Sequence, residues 1–200
     1  GQGTSIGTAA MRTLPFGVPK LMLSPIASGL FQFGPYVGTK DICMMHSVTD
    51  ILGLNVVSRP ILRNAANAIA GMVMRLRAEP PAEKPTVATM LGVTTRCVMR
   101  IMDHLVALGY EVVPFHANGT GGPAMEQLAA EGKFVGIIDL STHEIMDNRH
   151  GGLAGAPNRL DVLTRCRIPA VVSLGGNDYI LYETIQKAPA RYQGRPIMVH

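Results

Sequence analysis

The chain has no tryptophan and only 5 phenylalanines and 5 tyrosines in 200 residues. So few rings leave little on which to stack bases, and a nucleic-acid surface is not indicated. Charge is also scarce. Asp, Glu, Lys and Arg make up 16% of the residues, the formal net charge is +4, and no run of Lys or Arg forms a stripe. Long apolar runs are missing as well. The longest uncharged stretch, Leu21 to Thr39, is broken by Pro25, Pro35, Gly29, Gly34 and Gly38, so it is no membrane span. Cysteine is limited to Cys43, Cys97 and Cys166, an odd count at wide spacing without a CxxC pair. That pattern does not make a disulfide scaffold. It fits a reducing, cytoplasmic compartment, with the thiols expected as buried structural residues. His116 and His143 are not spaced as a zinc site, and no HExxH supports one. Neither a Walker A loop nor a nucleophile elbow occurs, so acyl transfer at Ser24, Ser28 or Ser173 has little support.

What is present is a core's worth of apolar sequence. Nearly half the residues, 47%, are hydrophobic, enough for one large domain or two small lobes. The softest point is Ala78 to Pro85, AEPPAEKP, read as a linker around residues 81–85. Before it, Val18 to Ser24 reads as a buried strand, Pro25 to Lys40 as a loop, and Asp41 to Met45 as a short strand. Ser47 or Asp50 is expected to open a short helix. Pro60 to Leu76 reads as a long helix with Ser58 as N-cap and a small-residue face. After the linker, strands are predicted over Thr86–Leu91, Tyr110–His116, Phe134–Leu140 and Ile168–Ser173. Helices are predicted between them over Thr95–Leu108, Gly122–Ala130, Thr142–Asp147 and Pro157–Arg165. Short, continuous Val- and Ile-rich strands alternating with helices give an open, mostly parallel α/β sheet. Ligands of such sheets sit beyond the C-terminal strand ends. Four polar turns are expected on that edge: Gly92–Thr95, His116–Gly122, Asp139–Thr142 and Ser173–Asp178.

Two glycine-rich segments carry the candidate chemistry. The turn Asn118-Gly119-Thr120-Gly121-Gly122 follows a strand and opens a helix, a setting in which backbone amides and a helix N-terminus hold an anion, usually phosphate. A tight βα turn without ligand is the alternative reading. GQGTSIGTA, Gly1 to Ala9, is a second nest candidate through Gly1, Gly3 and Thr4, without a strand before it. Lys40, in Gly38-Thr39-Lys40-Asp41, either approaches a phosphate or is solvated. Asp139 and Glu144 flank a strand end, where an acid holds Mg²⁺ through water, accepts from a ribose hydroxyl, or caps the next helix together with Thr142. His116, Asp139 and Glu144 are the weak catalytic candidates, with Asp139 the metal candidate.

Several longer stretches point to one family: Thr8 to Gly29, Tyr36 to Ile42, Asn64 to Val73, Gly92 to Val98, GYEVVPFHANGTGGPAME (Gly109 to Glu126) and IIDLSTHEI (Ile137 to Ile145). They resemble the family containing the ATP-binding N-terminal domain of the tomato tobamovirus-resistance protein, and the resemblance covers essentially all 200 residues. It implies two Rossmann-like lobes joined by a linker, ATP binding, and homodimers. It also implies that Gly1 to Thr4 is a family glycine turn, that Ser5 to Leu14 is the helix after it, and that both lobes continue beyond this stretch. Departures occur at Arg96, where the family commonly has proline, and at Pro123, where it has arginine. In GNDYILYE (Gly176 to Glu183), Asp178 keeps the family aspartate while Leu181 or Tyr182 replaces an asparagine.

Three functional readings stand together: a nucleotide-binding protein (ATP with Mg), an enzyme acting on a small phosphorylated or carboxylated metabolite, and a protein-interaction module without ligand.

Overall fold

The computed structural model describes residues 2–28, 33–74 and 83–196. Two α/β units with parallel sheets emerge, Gly1–Pro80 and Pro81–His200. Gly1, most of the proposed linker, the end of the Pro60–Leu76 helix and the final PIMVH residues after Pro196 lie outside the described residues.

In the first unit, α1 spans Gln2–Arg12, β1 Leu21–Ser24, α2 Gly34–Val37, β2 Cys43–His46 and α3 Ser58–Met74. β1 and β2 pair in parallel, Leu21 opposite Cys43 through Ser24 opposite His46. α1 starts earlier than the sequence suggests. Gly3 and Thr4 therefore sit inside its first turn and do not form a loop after a strand. Thr4 is buried and its hydroxyl lies 2.6 Å from Ser24 Oγ, tying α1 to the end of β1. No helix opens at Ser47 or Asp50. Val48 takes φ 64° and Gly53 φ 72°, which break a helical run before Ser58. The capping oxygen of α3 is also not Ser58. Asn55 Oδ1 accepts from the amides of Val57 and Ser58 at 2.9 and 2.8 Å, while Ser58 Oγ accepts from Asn55 N. This reciprocal arrangement satisfies the orphan donors of the helix start.

In the second unit, β3 is Thr86–Leu91, α4 Thr95–Ala107, β4 Glu111–His116, α5 Gly121–Ala130, β5 Gly136–Asp139, α6 His143–His150, α7 Asp161–Cys166 and β6 Ala170–Val172. The sheet order is β4-β3-β5-β6 and every pairing is parallel. The four polar turns that follow the strands therefore leave from one edge. β3 runs through the middle and is buried along Thr86–Met90, which explains its apolar Val87, Ala88 and Met90, while the buried Thr89 hydroxyl donates to Ile138 O at 3.0 Å. Its alternation places Ala88 and Met90 in one core with Met125 and Ala129 of α5, Ile137 of β5, Val162 of α7, Ala117 and Phe134. Phe115 and Phe134 meet edge to face, with ring centroids 5.9 Å apart. The order of strand addition reverses at β3, since the path goes from β3 out to β4 and then back past it to β5. This places the topological switch point between β3 and β5.

The cysteines correct an expectation. Cys43, Cys97 and Cys166 are free and all three are exposed, on β2, α4 and α7. Among the described residues, no helix is long and apolar enough to cross a membrane.

Met125 is 1% exposed at the centre of the second-unit core. Met125→Ala should lower unfolding free energy by about 2–5 kcal/mol. Met74→Ala, at a position 84% exposed, should change it by less than about 0.5 kcal/mol. Urea titrations of the two variants check the contrast.

Candidate functional site

The C-terminal edge of the second sheet is organised around one buried arginine. Arg159 lies in the turn before α7, and its side chain is 1% exposed. Its guanidinium faces three carboxylates from three elements. Nε donates to Glu144 Oε2 of α6 at 2.7 Å, Nη1 to Glu126 Oε1 of α5, and Nη2 to Asp139 Oδ2 at the end of β5. A planar five-donor fork can serve three acids at once, which an ammonium on a flexible stem does poorly. Burial opposes the charge on Arg159. Attraction and hydrogen bonding to Asp139, then attraction to Glu126 and Glu144, outweigh it and raise the arginine's pKa. Asp139 shows the opposite balance. Desolvation raises its pKa above 3.8 even though Arg159 and the Ser141 amide work to lower it.

Glu144 links this cluster to the glycine turn. Its Oε1 accepts from Gly119 N at 2.7 Å and from Gly122 N at 3.4 Å. Asn118 Oδ1 accepts from the Thr120 and Gly121 amides at 3.2 and 3.1 Å and from the Thr120 hydroxyl at 2.9 Å. The turn's amides therefore already face acceptors of the protein itself, and its internal anion is Glu144. The glycines are required by close approach. A Cβ at Gly121 would overlap the His116 carbonyl, and one at Gly122 would overlap Glu144 and Arg159.

The other sequence candidates are dispersed. His116 ends β4 and is exposed, away from any partnership with the buried pair Asp139 and Glu144. Asp139 is fully buried against Arg159, so the position a cation would take beside it is held by the guanidinium and Asp139 does not fit Mg²⁺. Among the described residues, no group of three His, Cys, Asp or Glu side chains converges as a metal site. Thr142 does not cap α6. Its hydroxyl donates to Ser173 O at 2.9 Å and receives Asn177 Nδ2 at 2.9 Å. Asp178 is exposed in the turn after β6. In the first unit, Lys40 is 9% exposed with its ammonium 4.1 Å from the Phe16 ring centre, which corrects the solvated alternative. A cleft there, lined among others by Leu23, Ser47, Thr49, Asp50, Ile51 and Ser58, lies beyond the ends of β1 and β2.

Sequence reading missed Arg159 and Glu126 because no motif joins them. A signal existed for Glu126. It falls with Gly122, Met125 and Ala129 on the buried stripe of α5, and a charge on an apolar stripe requires a buried partner.

Comparison with known proteins agrees with this architecture. The N-terminal domain of Uncharacterised protein family UPF0261 matches residues 1–78 and its C-terminal domain matches residues 84–200. The chain belongs to the UPF0261 family. A UPF0261 protein of Rhizobium meliloti is 48% identical over 202 residues, covering 100% of this chain and 50% of the relative. A UPF0261 protein of Clostridium tetani is 45% identical over 99% of this chain and 49% of its own length. The ToMV resistance protein Tm-1 of Solanum lycopersicum is 42% identical over 99% of this chain and 27% of that protein. The chain thus spans about half the length of these bacterial UPF0261 relatives.

Arg159→Met should leave three buried carboxylates without their cation and cost about 3–5 kcal/mol at neutral pH. Because Asp139 has a raised pKa in the folded state, its contribution favours folding below its unfolded value of 3.8 and is lost as pH rises through the folded value. Removing Arg159 raises that folded value further. The difference between variant and wild type should therefore shrink as pH falls towards about 4. Urea denaturation of both proteins across that range measures it, and a difference independent of pH would contradict the charge argument.

Proposed function

We propose that the chain binds a nucleotide, ATP with magnesium, at the C-terminal edge of the second sheet. The observation that carries this is the strand-order reversal between β3 and β5. Crevices at such reversals are where open α/β sheets hold nucleotides and related ligands. The ATP binding implied by the sequence resemblance adds support. The phosphate end is assigned to the turn Gly92–Thr94 and the N-terminus of α4, a helix of 13 residues whose first turn carries exposed Arg96. This assignment replaces Asn118–Gly122, whose amides are already paired, and it leaves Gly3, Thr4 and Lys40 out of the second-unit site. Magnesium would come with the phosphates, and the exposed Asp178 is the acid on this edge suited to reach it through water.

The reading includes a homodimer in the cytoplasm. Exposed small residues Ala66 and Ala70, one turn apart on α3, provide a face on which a second helix can pack closely.

Calorimetric titration with ATP and MgCl₂ tests the proposal. Arg96→Glu reverses the charge at the first turn of α4 without touching a buried group, and it should weaken ATP binding by roughly tenfold or less, as expected for a surface charge at a helix N-terminus. Absence of ATP binding to the folded protein at millimolar concentration would refute the reading.

A further inference from the structure

Four buried side-chain atoms have no hydrogen-bond partner among the described residues: Thr49 Oγ1, Thr94 Oγ1, His143 Nε2 and Asn177 Oδ1. Three of these four lie on one edge of one sheet: Thr94 and Asn177 in the turns after β3 and β6, and His143 at the start of α6 after β5. His143 itself is only 2% exposed. The three turns close on each other. A Cβ at Gly92 would stand 2.7 Å from Ser141 Oγ, and one at Gly175 would stand 2.5 Å from Thr94 Cγ2. One at Gly176 would stand 3.2 Å from His143 Cβ and 3.3 Å from Val93 Cγ2.

Donor and acceptor logic fixes what this cluster needs. The Thr142 hydroxyl donates its only proton to Ser173 O, so its oxygen must accept from Asn177. The Asn177 amide therefore presents Nδ2 to Thr142, which leaves Oδ1 as an acceptor in search of a donor. Thr94 Oγ1 can donate or accept. His143 Nδ1 lies 3.3 Å from Ser141 Oγ, and Tyr179 stacks on the imidazole with ring centroids 5.4 Å apart, which fixes the ring and leaves Nε2 over. A carboxylate or a fully ionised phosphate ester offers acceptors only and cannot satisfy Asn177 Oδ1. Hydroxyl groups offer both functions at every atom.

We propose that Thr94, His143 and Asn177 form a binding site for the hydroxyl groups of a sugar. Two carriers share this chemistry: the ribose of a nucleotide and a free sugar phosphate. Only the first rests on the nucleotide reading above. Asn177 Oδ1 takes one hydroxyl proton, and Thr94 Oγ1 and His143 Nε2 complete the bonds around the hydroxyl oxygens.

Calorimetry on the full chain with ATP, 2′,3′-dideoxy-ATP, ribose 5-phosphate and inorganic phosphate tests this. Wild type should prefer ATP over the dideoxy analogue by about ten- to a hundredfold, because a site built for hydroxyls rejects a ligand lacking them. Ribose 5-phosphate should bind more tightly than inorganic phosphate. Asn177→Leu should reduce ATP affinity to the dideoxy level and leave dideoxy-ATP unchanged. If that variant does not fold, the comparison of ligands on wild type decides alone. Equal affinity for ATP and its dideoxy analogue overturns this proposal while the nucleotide reading stands. Binding of ribose 5-phosphate without ATP upholds it and removes the nucleotide. No binding of either sugar-bearing probe overturns it and leaves the three atoms to water.

Discussion

The second unit depends on the pairing of one buried guanidinium with three buried carboxylates. Glu126, Asp139 and Glu144 come from a helix, a strand end and another helix, and Arg159 joins them to the turn before α7. That turn is strained, with Asn158 and Leu160 both at positive φ, at 59° and 72°. Such conformations cost on the order of 1–3 kcal/mol each and persist where surrounding contacts over-determine them. Here Glu126 does so twice, by holding Arg159 and by accepting the Leu160 amide at 2.7 Å. A buried ion cluster adds little net stability relative to an apolar core of the same shape, but the loss of one member leaves the others desolvated and unpaired. The arrangement thereby selects one way of closing α5, α6 and α7 onto the sheet.

This also explains why the glycine turn has its form. A strand, a Gly-rich turn and a helix N-terminus make an anion site whatever the anion is, and a carboxylate of the same chain meets the requirement as well as a phosphate does. Glu144 enters the turn because Arg159 holds its other oxygen. Asp147, one helical turn further along α6, does similar work with a second loop. Its carboxylate accepts from the amides of Ala154 and Leu181 at 2.9 and 3.1 Å. α6 thus has a carboxylate at each end of its buried face, each organising backbone that has no regular partner.

The alternating order of the second unit was legible in the sequence because short Val- and Ile-rich runs alternate with helical segments and polar turns, although only β3 is buried along most of its length while β6 is exposed at all three residues. The start of α5 was legible for the same reason, since Pro123 and the glycines restrict where a helix can open. The first unit was harder to read. Gly3 and Thr4 look like a loop by composition but lie in a helix, because the Thr4 side chain is buried against Ser24 and tertiary packing overrides glycine's poor helix propensity. Cys43, Cys97 and Cys166 look like core residues by type, yet each falls on an exposed position of its element. Thiols are small enough to be tolerated there, so residue type alone did not decide their burial. The Arg159 cluster was hidden because its members are separated by up to 33 residues and meet only through the sheet.

The turns along this edge therefore carry two kinds of chemistry, interleaved across the order β4-β3-β5-β6. Around β4 and β5, the polar groups of the turns are matched to each other: Asn118 to its own amides, Glu144 to the glycines, and the acids to Arg159. In the turns after β3 and β6 and at the start of α6, the match is incomplete, with Thr94, Asn177 and His143 each keeping one buried atom unbonded. Leaving a buried polar atom unpaired costs about 1–3 kcal/mol, so three together on one edge are hard to retain without something that pays them back. The internally satisfied groups can serve as a rigid frame because they need no ligand to complete them. The unsatisfied groups have the donors and acceptors with which a ligand can replace missing protein partners. Rigid matched groups beside groups with unmet hydrogen bonds are the condition under which a bound group is oriented as well as held, so the proposed sugar site would draw its specificity from Thr94, His143 and Asn177 and not from the glycine signature.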